Sequence, residues 1–183
     1  MVMKLNLDDA RQKAAGVRHL VLDVDGVLTD GSIVYTTGGE QILSFHVHDG
    51  LGIKLLASAG IGTSIISARG SRALERRAQE LGIYALYQGQ HNKRDAFMQV
   101  CSDTGLSPHE LAAVGDDLVD LPMLMIAGFS VAVSNAQPAI LPHVHYITDR
   151  SGGNGAVREV SEFILQAIGA WDQVTARFFN PVS

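Results

Sequence analysis

Short aliphatic runs alternate with helical patterns along most of this chain, and few folds accommodate that order. Val17–Val24 (VRHLVLDV), Ile61–Ile66, Ala112–Val114, Phe129–Val133 and Tyr146–Thr148 read as buried strands. Between and after them, Leu51–Ala59, Ser71–Leu81, Asn92–Thr104, Leu118–Ala127 and Ala156–Ile168 carry helical spacing. Leu74, Ala78 and Leu81 share one face, as do Val157, Val160, Phe163, Ile164 and Ala167. The alternation predicts an α/β fold: a doubly wound parallel sheet with helices on both faces. Ser107-Pro108-His109-Glu110 has the residues of a capping box with proline at the first helical position, so a short helical turn is expected just before the strand at Ala112.

One segment breaks the rhythm. Ser32–Tyr35 and Gln41–Val47 are strand-like and flank Thr-Thr-Gly-Gly-Glu, which predicts a small β-hairpin inserted at about 31–48. No repeat or linker divides the chain, so one domain over 1–183 is expected. Trp171–Ser183 is weakly patterned and reads as a docking arm or a loose tail.

Charge and composition exclude several classes. With 14 Lys+Arg against 19 Asp+Glu, the net charge of −5 gives no basic footprint for nucleic acid. The single cysteine, Cys101, makes neither an intrachain disulfide nor a cysteine zinc site. No apolar run approaches the ~20 residues that span a bilayer. Met1 to Ala15 mixes charges without an apolar core, so no signal peptide is expected and the protein reads as cytoplasmic.

The chemistry lies in two acidic clusters. Asp23-Val24-Asp25-Gly26 and Gly115-Asp116-Asp117-Leu118-Val119-Asp120 each follow directly on a strand-like run. Ligands of open parallel sheets bind beyond the carboxyl ends of the strands. Two carboxylate clusters converging there suit one hard divalent ion, and oxygen ligation favours Mg2+. As plain loops, the same aspartates would be helix N-caps. Ser67, also at a strand end, offers a hydroxyl beside a helix N-terminus for phosphate oxygens, and Lys93 offers a point charge. Alone, Ser67 would read as a cap and Lys93 as a solvated charge. His46 and His48, two apart, would share one face of a strand.

The ordered set Asp23-x-Asp25-Gly26, Ser67, Lys93 and Gly115-Asp116-Asp117-x-x-Asp120 is similar to the haloacid-dehalogenase (HAD) superfamily, over nearly the whole chain. Asp25-Gly-Val-Leu-Thr-Asp-Gly31, Phe45-x-Val-x-Asp49-Gly50-x-Gly52-Ile53, Gly115-Asp-Asp-Leu-x-Asp-Leu-Pro122 and Gly152-Gly-Asn-Gly-Ala-Val-Arg-Glu159 narrow the resemblance to the 3-deoxy-D-manno-octulosonate 8-phosphate (KDO 8-phosphate) phosphatase family. The resemblance implies a Mg-dependent phosphatase acting on a sugar-acid phosphate of lipopolysaccharide precursor synthesis. Asp23 would be the nucleophile and Asp25 the general acid and base. The ion would be held by the Asp23 carboxylate, the Asp25 carbonyl and Asp116, with Asp117 and Asp120 behind them. Ser67 and Lys93 would bind the phosphoryl group. Arg69, His48, Asp49 and Gly50 would contact substrate.

Two positions depart from the family pattern: His48 stands where Arg is usual, and Ala68 where Gly is usual. Neither insertion point holds a cap domain. The family remedy is a homotetramer in which hairpins associate, with Ile33, Tyr35, Ile42 and Phe45 as the apolar seam, and Gly152, Gly153 and Arg158 complete a neighbour's pocket. Alternatives are a phosphatase for a nine-carbon sialic-acid-type 9-phosphate, a phosphoryl-accepting receiver domain, and a catalytically weak oligomerisation module.

Overall fold

The computed structural model describes residues 6–179. Its centre is β1 (His19–Leu22), a four-residue strand buried on every side chain. A strand with no solvent face needs parallel neighbours on both edges and helices above and below. Both are present. β4 (Gly62–Ile66) and β5 (Ala85–Tyr87) lie to one side of β1, and β6 (Leu111–Gly115), β7 (Phe129–Ala132) and β8 (Tyr146–Ile147) to the other. The sheet order is β5-β4-β1-β6-β7-β8, parallel throughout. The chain leaves β1 toward β4 and later returns to β6 on the opposite edge. The sheet therefore has its topological switch point between β1 and β6, where Leu22 pairs with Val114.

Around the sheet are α1 (Leu7–Ala14), α2 (Val47–Ser58), α3 (Arg72–Leu81), α4 (Lys93–Thr104), α5 (Leu121–Leu124), α6 (Ala156–Ala167) and α7 (Trp171–Phe179). One continuous apolar core joins them, with Phe97, Phe129 and Met123 among its largest fully buried side chains. Phe129, Tyr146 and Phe163 stack where α6 covers β7 and β8. Before β6, Glu110 Oε2 accepts both the backbone N–H and the hydroxyl of Ser107, as the capping-box sequence predicts.

The inserted hairpin is β2 (Val34–Tyr35) with β3 (Gln41–Ile42), antiparallel and shorter than the sequence predicts. It forms a separate two-stranded sheet. No cap domain intervenes, since the run from α4 to β6 holds only the 3₁₀ turn Pro108–Glu110.

Several elements differ from expectation. The strand expected to reach Val47 stops at Ile42, because His46 caps α2 instead: its Nδ1 accepts the N–H of His48. His46 and His48 therefore do not share a strand face; their rings meet edge to face at 4.8 Å. The helix expected over Leu118–Ala127 becomes a 3₁₀ turn, Leu118–Asp120, followed by α5. Three elements were not anticipated: α1, β5 and α7. The last makes Trp171–Phe179 a helix rather than a loose tail. Residues 1–5 of the expected leader-free N-terminus and residues 180–183 of the tail lie outside the described residues. Among the described residues, no helix is long and apolar enough to cross a membrane.

Candidate active site

Asp23 is the residue after β1, and its N–H donates to Val114 O across the switch point. Beyond it the chain turns sharply. Gly26 takes a positive φ of 92°, and a Cβ there would run into the Asp116 carboxylate, so glycine is required on both counts. Thr29 ties the turn from inside: its Oγ1 donates to Val24 O and accepts from the N–H of Gly26 and of Gly31. Outside the turn lies the Gly152–Gly153 segment, with Gly153 N–H on Val27 O at 2.9 Å. Gly152 N–H donates to Asn135 Oδ1 at 2.7 Å. Thr29 and Asn135 were not legible as site residues, since each acts only through backbone partners that the fold supplies.

Asp116 follows β6. The next turn is built around Asp120, whose Oδ2 accepts the N–H groups of Asp116 and Asp117. Its other oxygen faces Lys93, so Asp120 is fully buried with both oxygens engaged. Asp117 turns the other way and accepts from Leu118 N–H at 2.7 Å. The spacing Asp116-Asp117-x-x-Asp120 thus sorts three carboxylates: one into the site, one onto the turn and one behind the lysine.

Lys93 opens α4, behind the Asn92 cap. It is 2% exposed, and its Nζ bonds Asp23 Oδ1 at 2.6 Å and Asp120 Oδ1. Burial pulls its ammonium down, but Asp23 and Asp120 together raise it above the ordinary lysine value. Ser67 follows β4 directly and is nearly fully buried. Its N–H donates to Tyr87 O, and its Oγ accepts from Arg69 N–H. Arg69 reaches back over the site, with Nε 4.0 Å from Asp25 Oδ2. Both side chains are only partly covered, so this pair faces the opening.

The electrostatics call for a cation. Asp23, Asp116 and Asp120 each present a carboxylate oxygen within 4.8 Å of the others, and Lys93 alone opposes them. Burial first, then Asp120, lifts the Asp23 carboxyl well above the ordinary carboxylate range. Burial, then Asp120 and Asp117, does the same to Asp116. Such crowding in a low-dielectric site is relieved by a hard divalent ion. Asp120 has both oxygens committed, which leaves the Asp23 and Asp116 carboxylates as the free donors. The donor set fits Mg2+.

Two expected substrate residues lie elsewhere. Asp49 is 1% exposed, and its Oδ1 accepts Arg158 N–H at 2.8 Å, within the core rather than on a pocket wall. Gly50 is buried against the Arg77 guanidinium. Helix formation from Val47 turns both inward. Arg158 is likewise held within the chain, by Glu162 and over the Trp171 ring. His48 stays exposed on the first turn of α2.

The sequence profile of haloacid dehalogenase-like hydrolases matches residues 77–160, which carry Lys93 and the Asp116–Asp120 turn. By fold and site alike, the chain is a hydrolase of that class, of the kind without a cap domain. Its relatives narrow this further. The 3-deoxy-D-manno-octulosonate 8-phosphate phosphatase KdsC of Yersinia pestis is 46% identical over 160 residues, 87% of this chain and 86% of the relative. KdsC of Escherichia coli K12 is 44% identical over 165 residues, 90% and 88% of the two chains. The chain belongs to this KDO 8-phosphate phosphatase family. A crystal structure of the Moraxella catarrhalis phosphatase in complex with magnesium, phosphate and KDO superposes with a TM-score of 0.92 at 40% identity, covering 94% of this chain and 99% of that one. A cobalt-bound Haemophilus influenzae relative gives 0.84 at 42% identity, over 87% and 93%.

Proposed function

We propose that this chain hydrolyses KDO 8-phosphate to KDO and inorganic phosphate. The observation that carries the reading is the Lys93 ammonium shared by Asp23 and Asp120 beside Asp116, all at the switch point. In this reading Asp23 attacks phosphorus and forms an aspartyl-phosphate. Asp25, half-open beside Arg69, gives its proton to the leaving sugar oxygen and then takes one from the attacking water. Lys93 opposes the rise that burial and Asp120 impose on Asp23 and offsets charge on the phosphoryl oxygens, while Ser67 supplies a hydroxyl to them. The Asp23 and Asp116 carboxylates and the Asp25 carbonyl would hold Mg2+, which would neutralise charge on the transferring phosphoryl group. Asp120 orients Lys93 and the Asp116 backbone, and Asp117 shapes the turn. Arg69 and the exposed His48 are the proposed contacts for the sugar acid. The ester it hydrolyses would be a cytoplasmic metabolite.

The uncapped site and the exposed apolar hairpin support assembly as a homotetramer. Ile33, Val34, Tyr35 and Ile42 are each about half exposed or more, a cluster that a lone hairpin has no reason to keep. Charged replacements at Tyr35 and Ile42 are expected to reduce the mass in light scattering from four chains to one. An unchanged mass would remove the hairpin from the interface.

The deciding experiment is phosphate release from KDO 8-phosphate with and without Mg2+, beside an Asp23→Asn control. A nine-carbon sugar-acid 9-phosphate and an aryl phosphate run in parallel. Mg-dependent release from KDO 8-phosphate, lost in the control, is expected. Preference for the nine-carbon ester would keep the mechanism and move the substrate, with His48 in place of Arg as the first residue to revert. No release from any ester would leave the oligomerisation module.

A further inference from the structure

The run Asp49-Gly50-x-Gly52 takes no part in the chemistry described above, yet it sits at a close crossing. At Gly52, α2 approaches α6 so nearly that a Cβ would lie 2.9 Å from Ser161 Oγ and 3.0 Å from Arg158 Cα. One turn earlier, Asp49 points into the same crossing. The N-cap of α6 is Gly155, a residue with no side chain to cap the first turn. The open N–H of Arg158, in that turn, is taken instead by Asp49 Oδ1 at 2.8 Å. Asp49 is thus an N-cap supplied from a different helix. Its Oδ2 has no hydrogen-bond partner, while the Gly155 N–H in the same helix start and the His46 and His48 rings lie near enough to favour its charge.

The other end of this connection reaches the catalytic turn. The segment leading into α6 lies against the turn after Asp25. Gly152 meets Gly26 O so closely that any Cβ would overlap it, and Gly153 N–H bonds Val27 O. Asp25 itself has little else to hold it. Its nearest charged partner is Arg69 at 4.0 Å, and both side chains are partly open. Its aim therefore depends on the backbone beneath it, which Thr29 holds from inside and Gly152–Gly153 from outside.

We propose that Asp49 is a positioning residue for Asp25, acting through the first turn of α6 and the Gly152–Gly153 segment on the Gly26–Asp30 turn. A buried carboxylate in this position also links the end of the hairpin insertion to the turn from which the insertion departs. The inference rests on the phosphatase reading for its kinetic arm only.

The test compares Asp49→Ala, Asp49→Asn and the milder Asp49→Ser in the full chain. Two readouts are used: steady-state kinetics on KDO 8-phosphate with Mg2+, and amide hydrogen exchange without substrate. Asp49→Ala is expected to lower kcat about tenfold or more, as displaced catalytic groups do, with KM changed less than about twofold. Asn keeps an acceptor at Oδ1 and is expected to restore most of kcat. In exchange, Asp49→Ala is expected to lose protection at Arg158 and Gly153 together, with β1 and β6 amides unchanged. Loss at Arg158 alone, with Gly153 and kcat unchanged, would reduce Asp49 to a local cap and overturn the proposal. If the alanine variant does not fold, the Ser variant carries the same comparison. A wild type that releases no phosphate but shows the coupled exchange would overturn the phosphatase reading and keep the mechanical link. An active wild type with uncoupled exchange would do the reverse.

Discussion

Lys93 Nζ lies 2.6 Å from Asp23 Oδ1 at the centre of the site, with the lysine almost wholly buried. Among the described residues it is the one cation paired with the converging carboxylates, so in the metal-free protein its removal leaves buried charge without an ion pair. Breaking a buried pair by deleting one partner destabilises by about 3–5 kcal/mol. Lys93→Met is expected to fall in that range in urea unfolding of the metal-free protein. Adding Asp120→Asn is expected to recover part of the loss, a non-additivity that marks direct contact. Turnover of Lys93→Met is expected to fall at least about 100-fold. Wild-type stability and turnover in Lys93→Met would remove the lysine from the site.

Asp116 has the complementary problem, a carboxylate raised by burial and by two aspartate neighbours with no cation of its own. If it holds Mg2+, the ion stabilises the native state by mass action, about 2.7 kcal/mol at 100 times its Kd. Wild-type thermal unfolding is expected to shift upward with Mg2+ and to return with a chelator. In Asp116→Asn the Mg-dependent shift is expected to disappear while the metal-free midpoint stays equal or rises. A full Mg2+ shift in that variant would move the ion elsewhere.

Arg69 stands at the opening, bonded to Ser67 Oγ through its N–H while its guanidinium leans toward Asp25. That arrangement separates backbone from side chain, so Arg69→Ala is expected to leave the Ser67 contact in place. A lost charged contact to substrate is worth about 1.5–3 kcal/mol, or roughly 10- to 100-fold. The expected result is a KM for KDO 8-phosphate raised by that factor with little change in kcat. An aryl phosphate, which lacks the sugar acid, is expected to be affected far less. Equal losses on both esters would assign Arg69 to the phosphoryl group instead.

Much of this architecture is legible in the sequence where burial is complete. β1, β6 and β7 are apolar on almost every residue and read directly as strands, and β4 reads as one from Ile61, Ile65 and Ile66 although it also buries Thr63 and Ser64. β5 escaped because it is a three-residue edge strand, only half-buried, in a stretch with little apolar contrast. α1 escaped because LDDARQKA buries only Ala10 and Ala14. Its signals were local instead: Asn6 as cap, Asp8 and Asp9 in the first turn, Arg11 and Lys13 in the last. At His46 alternation points to a strand, but the residue caps α2 instead. In the site, Asp23 and Asp116 are legible because strand ends fix where they point, and Lys93, at the start of α4, is legible from its place in the motif order between Ser67 and Asp116. Asp49 stands out in the motif, but its capping role does not, because its partner is a backbone N–H 109 residues away, and no one-dimensional pattern encodes a helix crossing.

His19, at the start of β1, gives the stability of the sheet a pH dependence. Its Nε2 is 2.8 Å from Ser64 Oγ on the neighbouring strand, and its ring meets Tyr84 edge to face. Burial pulls its pKa from 6.5 down to about 4, so it stays neutral in the folded protein at pH values where the unfolded chain would protonate it. The stabilisation is therefore fully present above about pH 6.5 and is lost as pH falls toward 4, because there the unfolded state binds the extra proton. Integrated from neutral pH to pH 4.5, the loss attributable to this group is on the order of 2–3 kcal/mol. Urea unfolding of wild type and His19→Gln at pH 7.5 and 4.5 measures it, since contributions from other groups cancel in the difference. Wild type is expected to lose about that much more than the variant over the interval. Parallel losses in the two proteins would mean that the imidazole takes up its proton within the fold at an ordinary pH. The His19–Ser64 contact would then be open to water, contrary to its place between two central strands.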